Sequence, residues 1–505
     1  MSDSEPKLAD TSKDGRLWPR WLFLRALGLI FFSAFYSLAF QIHGLIGERG
    51  ILPADFYLYQ LTARFGAIAR IWYAPTLLWL NASDRALTLI VVAGLIASLL
   101  LVFNLWPRLT VALCEILFLS CIAALQDFSS YQSDGMLLEA GFLSFFFAPR
   151  GIRPGLGASN PPSRFSLFML QWEWFRIYFE SGLVKLLSGD PHWRNFTAMD
   201  EYYQNGPLPS WMGWYVQQLP HWYHAGTVVI TLGVELVLVW ALFLPRQFRI
   251  ACFFVVTALQ IGIITTANYC FLNYLVLSLG VLLLDDRALA RVGFPVVTPA
   301  TAAQESTRRF RIYRRVESVT LGIALYSTVA AFLFGGSGSI LALPNRLLEP
   351  FRIANAYGLF AVMTPARYEI EFQGSNDGKT WIPYPFRYKP QDPKERPGFY
   401  APYQPRFDWN LWFASLDPWR ASPWVVLAQE RLLEGSPSVL ELFKPDPFHG
   451  KPPSMVRTVL WQYWVTDLET KRNTGAWWRR QELGLFSGTV TRAKDGSTVF
   501  SEAPL

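Results

Sequence analysis

The hydrophobic positions of this chain fall into runs of about 20 residues that are separated by short polar segments. An α-helix crosses the hydrocarbon core of a bilayer in about 20 apolar residues, so runs of this length predict membrane-spanning helices. We predict eight such helices and add a ninth over 131–149, where two glycines interrupt the apolar pattern. The eight uninterrupted runs cover residues 21–46, 86–105, 109–128, 165–187, 226–244, 249–267, 270–285 and 317–335.

The pattern changes after residue 335, where long apolar runs give way to short alternating segments such as Arg367–Phe372. Asn376-Asp377-Gly378 follows and is a strong hairpin signal. The turn resembles one found in jelly-roll sandwiches, so we expect a β-rich, sandwich-like domain with a helical insertion near 405–445. The predicted fold is a mainly α polytopic membrane bundle followed by this domain. Its parts are an N-terminal tail (1–20), a transmembrane domain (21–335), the β-rich domain (336–488) and a flexible tail (489–505).

Composition and charge agree with a membrane protein. The chain is 52% hydrophobic and 16% charged, and its net charge is +7. If the N-terminus is cytoplasmic, the predicted inner segments hold 17 Lys and Arg and the outer loops hold five. This asymmetry is the positive-inside pattern, so the basic residues indicate topology and no nucleic-acid partner. It predicts that the N-terminal tail is cytoplasmic and that everything after residue 336 is extracytoplasmic.

Several kinds of chemistry lack a sequence signal. The four cysteines lie within or beside predicted spans, where we interpret them as small apolar residues without disulfide or metal chemistry. The five histidines form no metal-binding set, and no P-loop, Rossmann glycine pattern or GxSxG elbow occurs. We therefore expect no metal or cofactor, and neither a lipase nor an ATP-driven transporter.

The run 165–187 contains four charged residues, and three of them, Arg176, Glu180 and Lys185, are candidates for a functional site; the fourth is Glu173. A charge at membrane depth costs about 2.5–3.5 kcal/mol on insertion scales, so such groups face partners or water-filled cavities. Arg176 and Glu180 are i,i+4 on a helix and can pair. Lys185 lies near the end of the run, where a lysine either reaches the interface or pairs with an acid. Besides Glu180, the candidate partners of Lys185 are Asp134 and Glu139.

A second cluster follows the stop at Ser188-Gly189-Asp190-Pro191. Two interpretations remain open for it. Its residues either cap a helix and anchor the interface, or they form a groove that faces a partner or lipids. The cluster consists of Asp190, Trp193, Arg194, Asp200 and Tyr203. For Asp408, Trp409 and Trp412 we expect packing under the β-rich domain.

Six blocks of the chain carry unusual motifs. They are the stretch Arg176–Lys185 followed by SGDPHWRNFTAMDEYY, the tetrapeptide Gly206-Pro207-Leu208-Pro209, and residues 131–149, 351–363, 371–393 and 406–414. Together these blocks resemble the lipase maturation factor family, and residues 131–149 resemble its FQWDxLLLExGFL stretch, with Ser133 in place of the usual Trp. The resemblance implies a non-enzymatic, chaperone-like membrane protein that assists the folding of exported lipases, so its expected partners are a client protein and membrane lipids. Eukaryotic relatives reside in the endoplasmic reticulum. Because this chain ends Ser-Glu-Ala-Pro-Leu without a retention signal, we expect a bacterial inner-membrane protein with a periplasmic domain.

A further resemblance concerns Lys185. Residues 178–186, with Trp193 after them, are similar to a segment of the vitamin K-dependent γ-carboxylases, which belong to the wider HTTM group. The resemblance implies that Lys185 stands where those enzymes have a lysine base, although Val184 replaces their preceding lysine. The alternative to a maturation factor is therefore a membrane enzyme that uses Lys185 on a lipid or quinone-like substrate. A third hypothesis is a lipid-binding or transport protein.

Overall fold

The computed structural model describes residues 15–129, 131–295, 297, 308–335, 338–493 and 497–501. Its first part is helical. The longer helices pack side by side and the shorter ones lie in the connections. The helices of this part are α1 (Leu17–Ala39), α2 (Ile42–Ile46), α3 (Ala54–Arg64), α4 (Ala67–Tyr73), α5 (Asp84–Val102), α6 (Pro107–Ile122), α7 (Gln132–Phe147), α8 (Arg164–Leu187), α9 (Pro191–Arg194), α10 (Tyr202–Asn205), α11 (Trp211–Gln217), α12 (His221–Leu236), α13 (Arg246–Thr266), α14 (Leu272–Gly280), α15 (Asp286–Ala290), α16 (Arg308–Phe334) and α17 (Leu343–Leu348).

Five helical stretches of the described chain are long and apolar enough to cross a membrane, which supports an integral membrane protein. They are α1, α5, α12 with the 3₁₀ turns that follow it, α13, and α16 from Arg311. The predicted runs at 109–128 and 131–149 form α6 and α7, which are 16 residues each. Helix α8 has 24 residues but carries several charges. The count of eight or nine spans therefore remains a prediction.

Aromatic packing holds the first helices together. Phe35 on α1 is fully buried, and its ring centroid lies 5.7 Å from that of Phe118 on α6. A Cβ atom at Gly94 on α5 would stand 2.3 Å from the Phe35 ring, so any larger residue there would have to displace that buried ring. Burial of large apolar side chains is the main stabilising contribution to such a core.

The C-terminal part is built on one antiparallel sheet in the order β2-β1-β3-β4-β5. The predicted turn at Asp377 joins the hairpin of β1 and β2, in which Gly374 is opposite Ile382. The predicted helical insertion is present between β2 and β3. The elements are β1 (Arg367–Ser375), β2 (Ile382–Pro383), α18 (Arg406–Ala414), α19 (Trp424–Leu433), α20 (Pro437–Leu440), β3 (Met455–Val465), α21 (Leu468–Thr474), β4 (Trp478–Arg492) and β5 (Thr498–Ser501).

Two expectations for this part need correction. The described residues form a single sheet rather than a sandwich, because helix α19 covers one of its faces. The Gln429 side chain on α19 donates hydrogen bonds to the carbonyls of Val456 and Gly488 on β3 and β4. The predicted tail boundary at Thr489 falls inside β4, where Thr489 pairs with Ser501 of β5.

Candidate functional site

Residues 352–364, here called the docking segment, connect the helical part to β1 without regular secondary structure over 353–364. Buried backbone amides require hydrogen-bond partners, and a segment outside helices and sheets must obtain them from side chains. Helices α7 and α8 and the loop after α8 supply these acceptors. The bonds run from Asn355 N to Glu139 Oε2 (3.1 Å), Tyr357 N to Glu180 Oε2 (2.8 Å), Gly358 N to Gln132 Oε1 (3.1 Å), Leu359 N to Ser181 Oγ (3.2 Å) and Met363 N to Asp190 Oδ2 (2.5 Å).

The centre of this contact is a buried ion pair between Glu139 on α7 and Arg176 on α8. Both side chains are 1% exposed. The docking segment closes the network: Arg176 Nη1 donates to the carbonyl of Asn355 (2.6 Å), and the Tyr357 hydroxyl donates to Glu139 Oε2 (2.8 Å). Buried charges are tolerated when such additional hydrogen bonds satisfy them. The charges in the α8 run therefore hold a segment of the C-terminal region against the helices.

The predicted i,i+4 pair is also present. Arg176 Nη1 lies 4.0 Å from Glu180 Oε1, which confirms that the two side chains face one another. The closer partner of Arg176 is Glu139, and Glu180 is used mainly as an acceptor for the Tyr357 amide.

Asp134, at the N-terminal end of α7, makes a separate connection to the C-terminal part. Its two carboxylate oxygens each lie 2.8 Å from a guanidinium nitrogen of Arg406, the first residue of α18. Both side chains are fully buried. Arg406 also donates to the carbonyl of Phe128 (2.9 Å). This bidentate geometry is the stronger form of ion pair and fixes the orientation of α18 on the bundle.

Lys185 pairs with Glu235 on α12, and its Nζ lies 2.8 Å from both carboxylate oxygens. The expectation that Asp134, Glu139 or Glu180 would be its partner is wrong. Lys185 lies nine residues after Arg176, which is two and a half helical turns, so the two side chains leave α8 in opposite directions. The Lys185 ammonium also lies 5.1 Å from the centroid of the Trp193 ring.

The structure divides the second predicted cluster. Asp190 caps α9 by accepting from His192 N (2.9 Å), as predicted, and also binds the Met363 amide of the docking segment. Trp193 is buried, and its indole nitrogen donates to the Phe360 carbonyl (3.0 Å). These two interactions place the start of the loop at the same contact.

The remaining members of that cluster lie elsewhere. Arg194 is exposed and donates to the Leu186 carbonyl (2.7 Å). Asp200 lies 3.0 Å from Nδ1 of His221. Tyr203 is buried and lines a cavity that Lys185 also lines. The predicted residues therefore do not form one site.

A groove of about 440 Å³ lies between the docking segment, α18 and the loops that face them. Its lining is mostly apolar, and Val362 and Phe413 are 66% and 46% exposed at its surface. The other aromatic and sulfur-containing residues that line it include Tyr269, Met363, Trp409 and Trp412. We call it the apolar groove.

The predicted packing role of the 408–412 motif agrees with the structure. Asp408 is buried and accepts the amides of Tyr388 and Lys389, each at 3.3 Å. Burial raises the pKa of Asp408 to about 6. Trp409 and Trp412 are each 8% exposed.

Four functional contacts were not anticipated, and they involve Glu235, Asn355, Tyr357 and Arg406. Asn355 and Tyr357 lie within the block 351–363, whose resemblance marked the region but not its partners. The nine-residue spacing of Arg176 and Lys185 indicates that the two side chains point in opposite directions and do not share a partner. Arg406 is the first residue of the block 406–414, which marks its region in the same way, but 272 residues separate it from Asp134 and no local pattern indicates that the two pair.

The described part of the chain contains no group of three or more His, Cys, Asp and Glu side chains arranged to hold a metal ion. The four cysteines are buried thiols outside disulfides. The chemistry that the described residues offer at the docking contact is hydrogen bonding and ion pairing between two parts of the protein.

Comparison with known proteins identifies relatives over nearly the whole chain. Residues 18–291 match the model of the lipase maturation factor transmembrane domain, and residues 353–487 match that of the lipase maturation factor C-terminal domain. Lipase maturation factor 1 of Mus musculus is 32% identical over 520 residues, which cover 95% of this chain and 90% of that protein. Lipase maturation factor 1 of Bos taurus is 31% identical with the same coverage.

Lipase maturation factor 2 of Gallus gallus is 30% identical over 94% of this chain and 81% of its own length. No solved structure matches the chain. The two family matches cover both parts that the docking segment joins, and the second begins within that segment. This chain belongs to the lipase maturation factor family.

Proposed function

We propose that the protein is a membrane-embedded maturation factor that assists the folding or assembly of exported lipases. The observation that carries the proposal is the family match over both parts of the chain, together with relatives named as lipase maturation factors.

The proposal includes an orientation. The N-terminal tail lies in the cytoplasm and the C-terminal part lies on the extracytoplasmic side, which is the periplasm in a bacterium and the reticulum lumen in a eukaryote. The distribution of Lys and Arg supports this orientation. The relatives reported above come from vertebrates, so they give no support to a bacterial inner membrane.

The apolar groove is the surface that we assign to the client. An exposed apolar patch rimmed by polar residues marks an interaction site, and incompletely folded proteins expose apolar segments. Val362 and Phe413 present such side chains on the extracytoplasmic side of the proposed topology. The groove lies between the docking segment and α18, so its shape depends on the Glu139–Arg176 and Asp134–Arg406 pairs.

The membrane-enzyme reading receives no support from the family matches. Both oxygens of Glu235 bind the Lys185 ammonium, and Trp193 covers another side of it. These contacts favour a structural role for Lys185.

The test uses cells in which the gene is deleted and which secrete a lipase. The cells are complemented with the wild type, with Phe413→Asp, or with the control Leu468→Asp, which places the same charge at a position that is 51% exposed outside the groove. The readout is lipase activity per amount of secreted lipase. The proposal expects wild type and control to restore activity and Phe413→Asp to fail at equal accumulation. A deletion strain with normal lipase activity would overturn the proposed function.

A further inference from the structure

A second cavity, separate from the apolar groove, lies among α8, α12, α13 and α14 and has a volume of about 290 Å³. Tyr202, Leu272, Leu359 and Phe360 line both spaces and form the wall between them. Its lining is predominantly apolar. We call it the lateral cavity.

The lateral cavity opens between α12 and α13, two helices that are long and apolar enough to cross a membrane. Helices α12 and α13 are joined through the 3₁₀ segment Leu238–Phe243 and have little contact with each other beyond it. Ile230 on α12 lines the cavity and is 58% exposed, and a Cβ atom at Gly262 on α13 would meet nothing within 4 Å. In a bilayer this opening faces hydrocarbon, so the molecules with direct access to it are lipids.

The lining also includes polar groups, among them the Lys185–Glu235 pair. Tyr178 and Gln260 add a second polar pair, since Gln260 Nε2 donates to the Tyr178 hydroxyl at 2.7 Å. A largely apolar pocket with a few convergent polar groups is the usual form of a ligand site. The combination fits an amphipathic molecule with its chain between α12 and α13 and its head near Lys185.

The charges select the head group. Lys185 and Glu235 neutralise one another, so a head with a net charge would add an uncompensated charge to a buried site, which is costly. A head with hydroxyl and ester groups can instead donate to Glu235 and accept from the other polar groups without changing the charge balance. The volume lies at the lower end of the roughly 300–1,000 Å³ typical of small-molecule sites, which suits one chain and a small head.

We propose that the lateral cavity binds a neutral single-chain lipid of the acylglycerol type, taken up from the membrane between α12 and α13. This site does not depend on the proposed client function, because the wall that includes Phe360 separates it from the apolar groove that we assign to the client. Binding there and lipase maturation can therefore succeed or fail independently.

The test uses the full-length protein in nanodiscs and a monoacylglycerol with a photoactivatable diazirine in its acyl chain. Cross-linked peptides are mapped by mass spectrometry. We expect adducts within 223–235 and 258–266, and we expect excess unlabelled monoolein to compete them away. A free fatty acid with the same diazirine chain should label these peptides about ten-fold less, a factor that corresponds to 1.4 kcal/mol.

Two variants test the location. Gly262→Trp on α13 fills the cavity, while Gly233→Trp on α12 puts the same side chain at an equally open position outside the lining. Labelling should be lost in the first and retained in the second. Ala258→Phe narrows the cavity from the same helix, α13, and replaces Gly262→Trp in the test if that variant does not accumulate. Labelling that monoolein cannot compete away, or that persists in a folded Gly262→Trp or Ala258→Phe protein, would overturn the proposal.

Discussion

Asp134 and Arg406 form a bidentate, fully buried ion pair with both N–O distances at 2.8 Å, although 272 residues separate them in the chain. Asp134 lies in the first turn of α7 and Arg406 is the first residue of α18, so the pair joins the membrane part to the C-terminal part directly. Together with the contacts of the docking segment, it fixes the position of the C-terminal part on the helices.

Removal of the Asp134 charge should therefore weaken this junction. Asp134→Asn leaves the Arg406 guanidinium buried without its counter-charge, a change that costs about 3–5 kcal/mol. The measurement is thermal unfolding of the detergent-solubilised protein, with limited proteolysis to detect release of the C-terminal part. The control is Glu434→Gln, which breaks the solvent-exposed pair with Arg431 (2.9 Å) and should cost about 0–1 kcal/mol. Equal stability of the two variants would contradict this account of the junction.

Tyr357→Phe tests the docking segment without a change of charge. The substitution removes the hydroxyl that donates to Glu139 at 2.8 Å and leaves the ring over Arg176. A lost hydrogen bond to a buried charged acceptor should cost about 1–3 kcal/mol. Tyr326→Phe, which removes an exposed hydroxyl that donates to the Leu341 carbonyl, is the matched control. Denaturant unfolding measures both, and a cost no larger than that of the control would argue against a structural role for the segment.

Asp408 should make the stability of the C-terminal part depend on pH. Burial raises its pKa to about 6 in the folded protein, while an unfolded aspartate titrates near 3.9. The folded state then binds the proton more tightly, so this residue costs stability as pH rises from about 4 to above 6, by up to roughly 3 kcal/mol. The stability of Asp408→Asn minus that of the wild type should therefore be larger at pH 8 than at pH 5. Unfolding temperatures of both proteins across this range provide the measurement, and a constant difference between them would refute the prediction.

Lys185 and Glu235 distinguish a structural pair from a catalytic lysine. Lys185→Met alone leaves Glu235 without its counter-charge and should reduce accumulation of the protein, since breaking a buried pair costs about 3–5 kcal/mol. The double variant Lys185→Met with Glu235→Leu removes both charges and should recover accumulation and lipase maturation. A double variant that accumulates normally but gives no active lipase would make the lysine itself functional.

Much of the fold follows from local patterns. The 20-residue apolar runs located the helices, the change after residue 335 located the β-rich part, and Asp377 marked the hairpin. The sandwich prediction failed because a turn motif describes only one hairpin. The element that covers one face of the sheet is helix α19, which lies about 50 residues further along the chain. Local pattern also could not show that β4 continues past Thr489.

The candidate site was predictable only in part. The cost of buried charge correctly indicated that Arg176 and Glu180 have partners, and their spacing correctly paired them. Glu139, the closer partner of Arg176, is 37 residues away in the chain, and the backbone groups of the docking segment that bind both side chains are about 180 residues away. Long-range pairs of this kind leave no periodic trace in a single sequence, which is why Glu235 and Arg406 were not identified as partners.

We infer that the C-terminal part acts on its client only while it is docked on the helices. The most direct test is the specific activity of a secreted lipase in deletion cells that are complemented with Asp134→Asn, corrected for the amount of the variant in membranes. We expect activity near that of uncomplemented cells for Asp134→Asn, and activity equal to that of the wild type for Glu434→Gln. Full lipase activity with Asp134→Asn, while proteolysis shows the C-terminal part released, would contradict it.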